Sequence, residues 1–198
     1  MLRWAYRALM RLEVRGLENV PPAGPGIVMI NHVNFFDPVV VLASLGRTVI
    51  PMGKVEAFED WRLRPLIVTY GVIPVHRGVV DMQAIRSATE VLRSGNIVLI
   101  SPEGTRSPTG GLIQGQEGLA FLAARTGAPV LPVGIVGTPR LWPMLKTLRR
   151  AHIIITIGQP ITYTGENKPS REQLGQFTDH AMRQLAAILP EELRGIYG

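Results

Sequence analysis

In Gly26-Ile27-Val28-Met29-Ile30-Asn31-His32-Val33-Asn34-Phe35-Phe36-Asp37-Pro38, an unbroken apolar run gives way to a short polar loop and then to an Asp-Pro pair. A run without polar alternation predicts a central strand covered on both faces. Asp37 before Pro38 predicts a helix start, with the carboxylate at the N-cap and proline at the first helical position. His32 is therefore expected at a strand end, with four residues separating it from Asp37. That spacing lets the chain loop back until the carboxylate accepts a hydrogen bond from one ring nitrogen, leaving the other to face a cleft. The pair reads as a general base with its orienter. No Gly-x-Ser-x-Gly elbow accompanies it, so the hydroxyl to be activated is expected on a substrate.

Working outward, a second apolar run, Asn96 to Ile100, leads into Ser101-Pro102-Glu103-Gly104-Thr105-Arg106-Ser107. This loop is rich in backbone N–H donors and has a guanidinium near its centre, a combination suited to a phosphate monoester. Further strands are predicted at Leu12 to Gly16, Thr48 to Met52, Val72 to Val75, Val130 to Val136 and His152 to Ile157. Helices are predicted at Asp37 to Leu45, Asp81 to Ser94, Gly118 to Arg125 and Ser170 to Leu189. The alternation predicts an α/β fold, a single domain whose mixed sheet is flanked by helices. Ligands of open α/β sheets bind beyond the carboxyl ends of the strands, where both loops fall.

The chain has 198 residues, 46% of them hydrophobic, and no repeat or low-complexity tract. Such a chain can bury a full core. Without cysteine, neither a disulfide framework nor a cysteinyl intermediate is available. His76, His152 and His180 show no metal-ligand spacing, so no metal site is expected and none of the three is expected to be catalytic. The formal charge of +6 favours an anionic membrane face or an anionic substrate. Nucleic acid is disfavoured, since no helix-turn-helix, zinc or aromatic RNA-binding signature is present. No run of 18 apolar residues occurs, so no transmembrane span is expected.

Residues 1–12 are read as an amphipathic, membrane-associating helix preceding a domain over residues 13–198. Arg3, Arg7 and Arg11 share one face, with Leu2, Trp4, Tyr6, Leu9 and Met10 elsewhere. The segment is too short and too charged for a signal peptide. A peripheral, monotopic position on the cytoplasmic face of the cell membrane is expected.

Taken together, four blocks in order resemble the glycerolipid acyltransferase family, of the 1-acyl-sn-glycerol-3-phosphate acyltransferase type. They are Asn31-His32 to Asp37, Gly71-Val72-Ile73-Pro74-Val75-His76-Arg77, Glu103-Gly104-Thr105-Arg106 and Val130-Leu131-Pro132-Val133-Gly134. The lead-ins Arg15-Gly16-Leu17-Glu18-Asn19-Val20-Pro21 and Lys54 with Glu56 are similar too, so the resemblance covers about residues 13 to 140. It implies a glycerol-3-phosphate acyltransferase-like fold and transfer of a fatty acyl group from an acyl thioester to a lysophospholipid, most simply lysophosphatidic acid, giving phosphatidic acid.

On that resemblance His32 and Asp37 are the catalytic dyad. Arg77, Glu103, Gly104, Thr105 and Arg106 hold the acceptor's glycerol phosphate, with Lys54 as a further anion contact. Backbone N–H groups at Val133 and Gly134 are candidates for the oxyanion. No cofactor is implied; acyl-CoA or acyl carrier protein is the co-substrate. Two departures stand out. Gly115-Gln116-Glu117-Gly118 lacks the aromatic and cation usual there, and His76 occupies a position before Arg77 where an acidic or amide residue is frequent.

A lipid thioesterase or esterase would use the same dyad on water, and an acyltransferase for another lysolipid would carry the same blocks. A non-catalytic membrane-binding protein would need the charge but not His32, Asp37, Glu103 and Arg106 together.

Overall fold

The computed structural model describes residues 10–198 apart from Arg62, Arg77, Val79, Val80, Leu148 and Asn167; the side chains of Leu66 and Leu145 are likewise outside the description. Seven strands, β1 (Met10–Arg15), β2 (Gly26–Ile30), β3 (Val49–Lys54), β4 (Ile73–Val75), β5 (Ile97–Ile100), β6 (Val130–Val136) and β7 (Ala151–Ile157), form one sheet ordered β1-β7-β6-β2-β5-β3-β4. Every neighbouring pair is parallel except β6 and β7, so the sheet is mixed. The carboxyl ends of β2 to β6 consequently share one edge.

Helices α1 (Phe36–Ser44), α2 (Arg64–Tyr70), α3 (Met82–Arg93), α4 (Gly118–Thr126), α5 (Leu141–Lys146) and α6 (Arg171–Ala187) complete the domain. The alternation along β2 explains the two layers. Ile27 and Met29 pack with Ala88, Leu92, Leu119 and Met182 of α3, α4 and α6. Val28 and Ile30 pack with Val40 and Val41 of α1 and with Leu131 and Val133 of β6. Both faces are apolar because both are covered, and each large aliphatic side chain so buried contributes about 1.5–3 kcal/mol.

β3 contains Pro51, which lacks a ladder donor. It is tolerated because β3 changes partner there: Val49–Pro51 pair with β5 and Met52–Lys54 with β4. The sequence reading differs at three places. Residues 10–12 belong to β1, paired with Ala151–Ile153 of β7, and not to a helix; the rest of the expected N-terminal helix lies outside the described residues. α1 begins one residue before Asp37, with Phe35 at the N-cap position and no side-chain cap, so Asp37 is not the N-cap. α2 and α5 had not been read from the sequence. α2 has Pro65 in its first turn and stops at Gly71, which has φ 60°.

Candidate active site

β2 ends at Ile30, and Asn31 extends its pairing with side-chain atoms. The buried amide donates from Nδ2 to the Ile135 carbonyl (3.0 Å) and accepts from Ile135 N–H at Oδ1 (2.8 Å), fastening the strand exit to β6. His32 therefore leaves the sheet from a fixed point. Its ring Nδ1 lies 3.0 Å from Asp37 Oδ2, and that oxygen also accepts the N–H groups of Val33 (2.7 Å) and Asn34 (2.6 Å). The other oxygen, Oδ1, accepts Thr138 Oγ1–H at 2.5 Å. Asp37 is wholly buried, and four donors replace its lost water. Because Oδ2 is an acceptor, ring Nδ1 is the donor, and the lone pair stays on Nε2 of a ring that is 16% exposed.

The Ser101–Ser107 loop holds His32 from the other side. Glu103 Oε1 accepts His32 N–H (3.0 Å), Glu103 Oε2 accepts Ile113 N–H (3.1 Å), and Ser107 N–H donates to the His32 carbonyl (2.7 Å). The two loops inferred from sequence are thus joined through the main chain of the candidate base. Gly104 makes the turn possible: φ is +67°, and its N–H reaches the Ser101 carbonyl at 3.1 Å. Burial pushes the Glu103 carboxyl above its usual value, against the opposing pull of the Ile113 and His32 N–H groups.

The other residues singled out in the sequence take these positions. Glu103 is 4% exposed, and its two oxygens accept the backbone N–H groups of His32 and Ile113, so it shapes the loop. Val133 and Gly134 are buried within β6, in register with Ile157 and Thr156 of β7 on one side, while Ile30 pairs with Val133 on the other. Thr105, Arg106 and Lys54 are exposed, the first two on the loop after β5 and Lys54 at the end of β3. Arg77 lies outside the described residues. Asn31 and Thr138 are the two contributors that sequence reasoning missed. Asn31 was signalled only as a polar residue ending an apolar run, and Thr138 by nothing local. Among the described residues no cluster of three or more His, Asp or Glu side chains is placed to hold a metal ion.

A cleft of about 410 Å3 lies apart from the dyad, lined by Phe58, Arg64, Ile67, Val68, Gly71 and Val72. Leu112 is a core residue.

Residues 11–136, which span β1 to β6 and include the dyad and its clamp, match the family model described as acyltransferase. The chain belongs to the acyltransferase family. The chain is 30% identical over 156 residues to the chloroplastic 1-acyl-sn-glycerol-3-phosphate acyltransferase LPAT1 of Arabidopsis thaliana, a match covering 76% of the chain and 44% of the relative. It is 28% identical over 204 residues to the 1-acyl-sn-glycerol-3-phosphate acyltransferase of Pseudomonas aeruginosa, covering 96% and 76%. The chain spans about half the length of the plant relatives it matches, 44% and 45%. Its fold is similar to the crystal structure of the 1-acyl-sn-glycerophosphate (LPA) acyltransferase PlsC from Thermotoga maritima, with a TM-score of 0.70 at 26% identity, covering 99% of this chain and 78% of that one.

Proposed function

We propose that this acyltransferase moves a fatty acyl group from an acyl thioester, acyl-CoA or acyl carrier protein, to the free hydroxyl of 1-acyl-sn-glycerol 3-phosphate, giving phosphatidic acid. The observation that carries the reading is the double hold on His32: Asp37 fixes the ring while Glu103 and Ser107 fix the backbone. The names of the relatives supply the acceptor.

In this mechanism Nε2 of His32 takes the hydroxyl proton as the oxygen attacks the thioester carbonyl. The C–S bond of the tetrahedral intermediate breaks, and the departing thiolate takes the proton back from the imidazolium. Asp37 holds the tautomer throughout. Arg106 and Thr105, exposed on the loop that clamps the base, together with Gly104, Lys54 and Arg77, bind the acceptor phosphate, while Glu103 keeps that loop in place. The net charge of +6 suits a peripheral position on an anionic cytoplasmic membrane face; no helix among the described residues is long and apolar enough to cross a membrane.

The test is thiol release from a long-chain acyl-CoA, with and without lysophosphatidic acid, for the wild type and His32→Ala. Acceptor-dependent release with phosphatidic acid as product, reduced by about 10²–10⁴-fold in the variant, is the expected outcome. Equal release without acceptor makes the protein a thioesterase. Release that requires a different lysolipid replaces the acceptor.

A further inference from the structure

The sequence carries the His-x4-Asp spacing twice. His76 and Asp81 repeat it after β4, and the fold repeats the geometry: Asp81 Oδ2 accepts both the His76 ring Nδ1–H (2.7 Å) and the His76 backbone N–H (2.9 Å). Asp81 Oδ1 caps α3 through Gln83 N–H (3.1 Å) and Ala84 N–H (3.0 Å). In both pairs a carboxylate at a helix start reaches back to a histidine at the exit of a parallel strand. The pairs differ in burial. The His32 ring is 16% exposed over a wholly buried Asp37, whereas the His76 ring is 61% exposed over an Asp81 that is 10% exposed. Asp81 has its carboxyl held well below the usual range, first by the Ala84 and His76 backbone N–H groups and then by the His76 ring. A fixed carboxylate behind an exposed ring commits Nδ1 and leaves Nε2 for a ligand.

Its position indicates which ligand. Val75, the residue before His76, is in register with Lys54 at the end of β3, so β3 and β4 end at the same edge of the sheet and His76 leaves from it. That is the edge at which β2 delivers His32 and β5 delivers the loop bearing Arg106. β2 and β4 are three strand spacings apart, about 14 Å, a gap that two imidazole side chains and a glycerophosphate between them can span. A phosphate dianion on the outer face would stabilise the imidazolium form, which donates from Nδ1 to Asp81 and from Nε2 to the phosphate.

We propose that His76, oriented by Asp81, is a substrate-binding residue that donates from Nε2 to a phosphoryl oxygen. The phosphate belongs either to the acceptor headgroup or to the coenzyme of the donor. The inference rests on the acyl-transfer reading and adds a residue that the four family blocks do not assign to binding; Asp81 is a positioning residue.

The test compares wild type, His76→Ala, His76→Gln and Asp81→Asn, the last keeping an N-cap side chain for α3. KM is measured for lysophosphatidic acid at saturating acyl-CoA, and for acyl-CoA at saturating acceptor. Monoacylglycerol and an acyl N-acetylcysteamine thioester serve as the phosphate-free counterparts. His76→Ala is expected to raise one KM by about tenfold or more, the loss typical of a hydrogen bond to a charged group, with kcat within about twofold of wild type. His76→Gln, which keeps a donor, should recover part of the loss, and Asp81→Asn should give an intermediate rise. A rise confined to lysophosphatidic acid and absent with monoacylglycerol assigns the headgroup. A rise confined to acyl-CoA and absent with the truncated thioester assigns the coenzyme. Both KM values unchanged, or a fall in kcat alone, overturns the proposal. Calorimetric binding of short-chain lysophosphatidic acid and of coenzyme A gives the same comparison without turnover, so an inactive wild type, which would sink the acyl-transfer reading, still leaves His76 decided.

Discussion

Asp37 sits in the protein interior with four donors on two oxygens, and Thr138 supplies the one donor from outside the His32 loop. Thr138→Val keeps the shape and removes that donor. A buried acceptor left unsatisfied costs about 1–3 kcal/mol, so urea unfolding should show a loss in that range. The freed carboxylate should also hold the ring less well, lowering kcat by about tenfold, or about 1.4 kcal/mol in the barrier, while the KM for lysophosphatidic acid stays put. A variant with wild-type kcat would remove Thr138 from the dyad. Glu103 gives a prediction in pH. Its carboxyl is raised above 4.5 in the folded protein, burial outweighing the two N–H groups. The folded state therefore binds this proton more tightly than the unfolded state. The stabilisation from this group is complete below pH 4.5 and is lost as pH rises through the raised value. Subtracting the unfolding free energy of Glu103→Gln from that of the wild type across this window should give a difference that declines with pH. A difference that grows with pH would contradict the burial argument.

The short segment after α6 is an element with a structural task. Leu112 donates to the Leu193 carbonyl (3.0 Å) and accepts from Ile196 (3.1 Å), while Gly115 N–H reaches the Tyr197 hydroxyl (3.2 Å). Ile113, one of the two donors to Glu103, lies between these anchors. Gly195 has φ +54°, and a Cβ there would fall 2.0 Å from the Leu112 carbonyl oxygen. Gly195→Ala should lower stability by at least about 1 kcal/mol and loosen the loop under Glu103, read as a lower melting temperature and faster amide exchange at Ile113. Unchanged exchange there would separate the segment from the site. The sequence made the larger elements legible. All seven strands lie within two residues of their expected bounds, because Val-, Ile- and Leu-rich runs between Gly and Pro punctuation leave few alternatives. α2 and α5, with seven and six residues, are too short for apolar periodicity, although Pro65 and Gly71 mark the ends of the first. His32 and Asp37 were legible as a pair because their contact is local. Asn31 and Thr138 were not, because their partners are 104 and 101 residues away. Asp37 was misplaced as an N-cap because an aspartate before proline has the same local signature whichever way its carboxylate turns.

At the scale of the molecule, the mixed order β1-β7-β6-β2-β5-β3-β4 puts β2 near the centre, between two strands that come much later in the chain. The support of the candidate base is gathered by that topology. Glu103 follows β5, 71 residues after His32, and Thr138 follows β6, 101 residues after Asp37. On a translating ribosome, at about 5–20 residues per second, the His-x4-Asp loop is made roughly 5–20 seconds before Thr138. A nascent chain halted before Thr138 carries both members of the dyad, while Asp37 Oδ1 still lacks the one donor that comes from outside the His32 loop. The surroundings of the candidate base are thus complete only once β6 and the turn after it have been made, so the order of synthesis sets when the site can assemble.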